Sequence, residues 1–119
     1  MSSVLIYGDV SLNVIDGSAI WLVSISETLT NIFDEVHVLL KDPRINDRFT
    51  RVLDSNSKIT VHENSNDPSG EPLTARKAAQ RIAGLNVAIN PNAIVIRGTD
   101  VCTFAVGNKN ISKKLWSYV

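Results

Sequence analysis

The sequence predicts an α/β protein: a Rossmann-like open parallel sheet with helices on both faces, in three layers. Short apolar, β-branched segments alternate with segments of helical periodicity along the 119 residues. Such alternation produces parallel βαβ units with right-handed crossovers. The apolar segments lack a polar face, as expected for strands buried on both sides. An apolar fraction of 44% is enough for one packed core of this size.

The first half of the chain predicts three strands and two helices. Strands are expected at residues 4–7, 36–40 and, more weakly, 59–61. A helix follows the first strand, with Asp16 or Ser18 able to cap it. Its apolar residues recur at steps of three and four, namely Ile20, Leu22, Val23, Ile25, Leu29, Ile32 and Phe33. A second helix is expected after Asp42-Pro43, a cap followed by a first-turn proline, with an apolar stripe of Ile45, Phe49, Val52 and Leu53.

The second half continues the same alternation. Residues 64–72 are rich in turn formers and predict a polar loop. A helix is expected from Thr74 to about Ala88 and a strand at residues 93–96. Two short helical pieces are expected around residues 101–106 and 111–116. Residues 117–119 have the composition of an opening fifth strand, which predicts an incomplete domain that continues in a longer parent protein.

Charge and cysteine content narrow the functional classes. Twelve basic residues balance twelve acidic ones, so no nucleic-acid partner is expected. The single cysteine, Cys102, cannot form an internal disulfide. The sequence shows no signal peptide and no apolar run of transmembrane length. A cytoplasmic location is therefore expected, with membrane association only peripheral.

The expected ligand site lies beyond the carboxyl ends of the strands, where the strand order reverses. In the usual order 3-2-1-4, the first and fourth strands are neighbours there. This places residues 8–18 beside residues 97–100. Gly17 lies at a helix N-terminus that favours anions, and Arg97 offers a planar donor for phosphate or carboxylate. Gly17 is equally explained as a turn glycine, and Arg97 as part of a structural ion pair.

Other motifs argue against several kinds of site. The sequence contains neither GxGxxG nor GxxxxGK[ST], which disfavours dehydrogenases and P-loop enzymes. His37 is expected to be a packed or edge histidine rather than a ligand. His62 and Glu63 end the third strand, but no partner histidine or cysteine completes a metal set there. Asp9 lacks the further acids and the lysine of a phospho-acceptor site. No metal and no cofactor are therefore expected. Cys102, which has no obvious histidine partner, is expected to pack a helix rather than to act as a nucleophile. Trp21 and Trp116 are interpreted as core residues, with interface anchors as the alternative. Arg76, Lys77 and Arg81 are expected to form a solvated helix face.

Several segments resemble the opening of retaining GT-B glycosyltransferases of the "glycosyl transferases group 1" kind. In that family a glycine-led helix follows the first strand, and a "heevtvl"-like second strand follows the helix. The matching segments are residues 6–9, 16–22, 34–39, 93–98 and 113–118. The family's frequent double glycine is Asp16-Gly17 here, and its frequent histidine after the fourth strand is Arg97.

The resemblance implies that residues 1–119 are the N-terminal, acceptor-side part of such an enzyme. Its partners would be a nucleotide-sugar donor and a hydroxyl acceptor (a glycan, a lipid or another alcohol), with no metal required. The C-terminal donor-binding domain would lie outside these residues, so the chain alone is expected to be inactive. The implied cleft residues are Asp16, Gly17, Ser18, Arg97 and Gly98. The alternative is a self-contained, non-catalytic flavodoxin-like binding or regulatory module.

Overall fold

A computed structural model of the chain describes residues 2–13, 17–42, 48–63 and 72–118. Ten elements follow one another within these residues. The strands are β1 (Ser3–Gly8), β2 (Glu35–Leu39), β3 (Ile59–His62), β4 (Ala93–Arg97) and β5 (Leu115–Tyr118). The helices are α1 (Gly17–Leu29), α2 (Thr50–Asp54), α3 (Ala75–Ile89), α4 (Thr99–Ala105) and α5 (Lys109–Ser112).

The five strands form one parallel sheet in the order β3-β2-β1-β4-β5. This confirms the predicted Rossmann-like open sheet and the predicted adjacency of the first and fourth strands. The order differs from the 2-1-3-4-5 order of flavodoxin-like sheets. Every residue of β1 is buried, because β1 lies in the middle of the sheet with helices above and below it.

The core divides into two layers, one on each face of the sheet. Even-numbered residues of β1, such as Val4 and Ile6, pack with α1 and α2, whereas Leu5 and Tyr7 pack with α3, α4 and α5. Alternate residues of a strand point to opposite faces, so an uninterrupted apolar run serves both layers. Each of these fully buried side chains contributes about 1.5–3 kcal/mol relative to an exposed one.

Three sequence expectations about the elements are wrong. The first helix ends at Leu29 rather than at Phe33, and two residues of its expected apolar stripe are exposed, Ile20 by 50% and Ile32 by 64%. The expected helical piece at 111–116 ends at Ser112, and Leu115 and Trp116 belong to β5. Pairing with β4 explains the difference, because backbone hydrogen bonds to a neighbouring strand outweigh a weak local preference.

Three further expectations fall partly outside the described residues. One is the polar loop at 64–72, of which residues 64–71 lie there. Pro43 and Ile45 of the second expected helix lie there too, and α2 begins at Thr50. Asp16, one of the two candidate caps of α1 and a predicted cleft residue, lies there as well. Within the described residues, no helix is long and apolar enough to cross a membrane.

Candidate ligand site at the carboxyl edge of the sheet

The carboxyl ends of β1 and β4 meet as expected, and this edge holds the candidate site. Gly8 and Arg97 are register partners, and the N–H of Asp9 continues the pairing by donating to the carbonyl of Arg97 at 2.9 Å. The strand order reverses between β1 and β4, since β2 and β3 extend to one side and β5 to the other. We call this place, formed by Asp9, Trp21, Lys41, Arg97 and Gly98, the switch-point edge.

Arg97 lies against the first helix rather than away from it. Its guanidinium carbon is 4.8 Å from the centre of the Trp21 ring, which is a cation–π contact. Trp21 follows Gly17 by one helical turn, so the two residues lie on one side of α1. The contact therefore places the Arg97 guanidinium against the side of α1 that also carries Gly17, one helical turn before Trp21.

Gly17 itself is not required by packing. A Cβ atom added there would meet no atom within 4 Å. Gly17 is the first residue of α1, a helix of 13 residues, whose first N–H groups have no partner inside the helix. These groups and the helix dipole favour an anion at this end. Trp21, expected in the core, is only partly buried and borders the core of the α1 face.

Gly98 is fixed by the backbone and by Asp9. Its φ angle is +144°, a conformation that residues with a side chain rarely adopt. A Cβ atom on Gly98 would lie 2.8 Å from the Cβ of Asp9, closer than two such carbons can approach. The structure thus gives this predicted cleft residue a local role: it lets β4 turn into α4 directly against Asp9.

Asp9 connects two strand ends through its carboxylate. Its Oδ1 lies 3.2 Å from Lys41 Nζ, which follows β2, and accepts a hydrogen bond of 3.3 Å from the Tyr7 hydroxyl. Burial raises the pKa of Tyr7, and the neighbouring Asp9 carboxylate raises it further, so the phenol stays protonated and donates. Tyr7 belongs to the core on the α3 face, whereas Trp21 borders the α1 face. The contacts of Asp9 with Tyr7 and Lys41 therefore adjoin the α3 face of the sheet. The contact of Arg97 with Trp21 adjoins the α1 face.

The Asp9–Lys41 pair is missing from the sequence interpretation, which treats Asp9 as an isolated acid. No spacing rule connects these residues, because only the parallel pairing of β1 with β2 brings them together. Both side chains are about one third exposed, at 36% and 29%, so the pair contributes little stability and is accessible to a ligand.

The other residues weighed in the sequence lie elsewhere. Cys102 packs beside the core of the α3 face, with its Sγ 3.8 Å from the carbonyl of Ile96. Trp116 is 52% exposed rather than buried in the core, and its ring lies 6.1 Å from that of Phe33. Arg81 is not on a solvated face, because it is partly buried and donates to the carbonyl of Glu63. The chain matches no protein-family model, no curated protein and no solved structure.

Proposed function

We propose that the switch-point edge binds the diphosphate and sugar of a nucleotide-sugar, and that residues 1–119 form the N-terminal, acceptor-side part of a GT-B glycosyltransferase acting in the cytoplasm. One observation carries this proposal: the Arg97 guanidinium lies over the ring of Trp21, which is one helical turn after Gly17, the first residue of α1. A helix N-terminus and a positioned guanidinium together favour a phosphate-bearing ligand.

Each part of this arrangement has a separate role in the proposal. Arg97 would donate hydrogen bonds to phosphate oxygens, and the first N–H groups of α1 would add their partial positive charge. Trp21 restricts the guanidinium to one orientation, which lowers the entropy lost on binding. Asp9 and Lys41, accessible at the same edge, would accept from and donate to hydroxyl groups of a sugar. No residue of this set requires a metal ion.

The test is to map ligand binding on the chain by NMR. The probes are UDP-glucose, GDP-mannose and inorganic pyrophosphate, each titrated into isotope-labelled protein. We expect weak binding that shifts the amide signals of Gly17, Ser18 and Gly98 and the indole N–H signal of Trp21. Shifts confined to other surfaces, or none at millimolar ligand, would show that this edge is not the binding site.

Substitutions test the contribution of Arg97 to ligand binding. Arg97→Ala should weaken binding of the responding probe about tenfold or more, the scale of losing a hydrogen bond to a charged group. Arg97→Lys should restore it only in part, because an ammonium cannot stack and bind in a fork. The matched control is Arg76→Ala, because Arg76 also lies over an aromatic ring, that of Phe104 at 5.4 Å, between α3 and α4. Equal loss in both variants would contradict a specific role for Arg97.

A further inference from the structure

The two histidines of the chain lie on neighbouring strands and contact each other. His37 in β2 is the register partner of Thr60 in β3, and His62 lies two residues beyond Thr60 on the same face of the sheet. His37 Nδ1 is 2.9 Å from His62 Nε2, and the rings stack with their centres 5.1 Å apart. The sequence interpretation, which finds no partner that completes a metal set at His62, does not bring these two side chains together.

A carboxylate holds the outer side of this pair. Glu35 Oε2 lies 3.4 Å from Nε2 of His37, the nitrogen that faces away from His62. A proton on that nitrogen leaves Nδ1 as the basic atom that points to His62. Histidines that bind metal almost always donate their other N–H to a carboxylate or carbonyl in this way. The His37 side chain is 12% exposed, so its orientation is set by packing as well.

His62 is partly buried and lies near His37 and Arg81. Arg81 opposes a cation nearby, and its guanidinium donates to the carbonyl of Glu63. The Glu35 carboxylate, on the outer side of His37, favours a cation and partly offsets the charge of Arg81.

We propose that His37 Nδ1 and His62 Nε2 form a two-imidazole site for a borderline transition-metal dication such as Zn²⁺, with water in the remaining positions. Zinc–nitrogen bonds of about 2.0–2.1 Å at a tetrahedral angle place two nitrogens about 3.3 Å apart. The observed 2.9 Å is therefore a few tenths of an ångström shorter, so the nitrogens move slightly apart and both rings turn to direct their lone pairs at one ion. Imidazole ligands suit zinc, copper and nickel rather than magnesium or calcium.

The site contributes two protein ligands, since the described residues contain no group of three or more His, Cys, Asp or Glu able to hold a metal. An ion with two protein ligands keeps open positions and exchanges readily. It would also join the edge strand β3 to β2, so binding should stabilise the fold through mass action. The proposal is independent of the switch-point edge, because the two sites share no residue.

The experiment is a titration of zinc chloride into the protein after removal of any histidine tag. The chain contains two histidines and one cysteine, so both imidazoles can be followed individually. We expect one equivalent of zinc by calorimetry. Long-range ¹H–¹⁵N spectra should show metal shifts at Nδ1 of His37 and Nε2 of His62. A shift at only one histidine, or no binding to the folded protein at millimolar zinc, would overturn the proposal.

Variants complete the test. His37→Gln and His62→Gln should each abolish the calorimetric signal and the zinc-dependent rise in Tm. Glu35→Ala should weaken binding about tenfold, because it removes the partner that orients His37. Cys102→Ser is the control and should bind as the natural chain does. Far-UV circular dichroism confirms that each variant is folded. Undiminished zinc binding by folded His62→Gln would assign the ion to another place and contradict the site.

Discussion

At the scale of single residues, Gly98 shows how the fold and the candidate site depend on the same position. Its φ of +144° and the 2.8 Å approach of Asp9 to an added Cβ are separate constraints on one residue. The first is a backbone cost of about 1–3 kcal/mol for any residue with a side chain. The second would displace Asp9, whose carboxylate contacts both Tyr7 and Lys41.

Gly98→Ala should therefore lower the free energy of unfolding by more than about 1 kcal/mol. The matched control is Gly84→Ala, because Gly84 lies within α3 and an added Cβ meets no atom within 4 Å. That variant should be stabilised by up to about 1 kcal/mol through helix propensity. Urea denaturation measures both. Similar changes in the two variants would contradict the constraint at Gly98.

Residue-scale contacts are also where sequence interpretation reaches its limit. Gly17 and Arg97 could be selected because each follows a rule about strand and helix ends. The Asp9–Lys41 and His37–His62 pairs could not, because each joins residues from different strands and depends on the register between them. A slip of one residue in that register would turn the side chains to opposite faces of the sheet. Local composition does not contain this information.

At the scale of elements, predictability follows the strength of the local signals. The observed range of α3, Ala75–Ile89, agrees closely with the expected helix from Thr74 to about Ala88. The structure shows clear ends, because Thr74 caps the start and Asn90 is left-handed at the end, with φ of 51°. The short helix α5 also has a capping side chain, that of Asn108, which accepts from the N–H of Asn110, but it has only four residues. Whether residues 109–118 form helix or strand is decided by pairing with β4, which periodicity cannot show.

The cap of α3 gives a prediction at this scale. The Thr74 hydroxyl accepts a hydrogen bond of 3.2 Å from the N–H of Lys77, so Thr74→Ala should cost about 1 kcal/mol of stability. Thr103→Ala is the control, because Thr103 is exposed within α4 and bonds back to the carbonyl of Thr99. Thr103→Ala should leave the free energy of unfolding unchanged or raise it slightly, since alanine is the better helix former. Equal destabilisation of both variants in urea would show that the cap contributes nothing specific.

At the scale of the whole molecule, the strand order matters more than any motif. The order β3-β2-β1-β4-β5 puts the ends of β2, β1 and β4 side by side, where the charged residues Lys41, Asp9 and Arg97 lie. The sequence could predict this convergence because alternating strands and helices allow few topologies. The sequence could not predict that Asp9 contacts Tyr7 of the α3-face core whereas Arg97 lies against Trp21 beside the α1-face core. These contacts depend on how the two cores pack.

The last prediction follows from the proposal that residues 1–119 form one of the two domains of a GT-B enzyme. Alone, they should bind a nucleotide-sugar weakly and transfer no sugar. Transfer requires preorganised donors around the leaving diphosphate, and removing even one such donor from an enzyme costs about 10²–10³ in rate. Arg97 and the N-terminus of α1 provide one side of such an arrangement, and the proposal assigns the other side to a separate domain. The measurement incubates the chain with UDP-glucose or GDP-mannose and a panel of alcohol acceptors, and detects products by mass spectrometry. Product formed by the chain and lost in Arg97→Ala would place the complete catalytic site within residues 1–119. Binding of the donor without product is the outcome that the proposal requires.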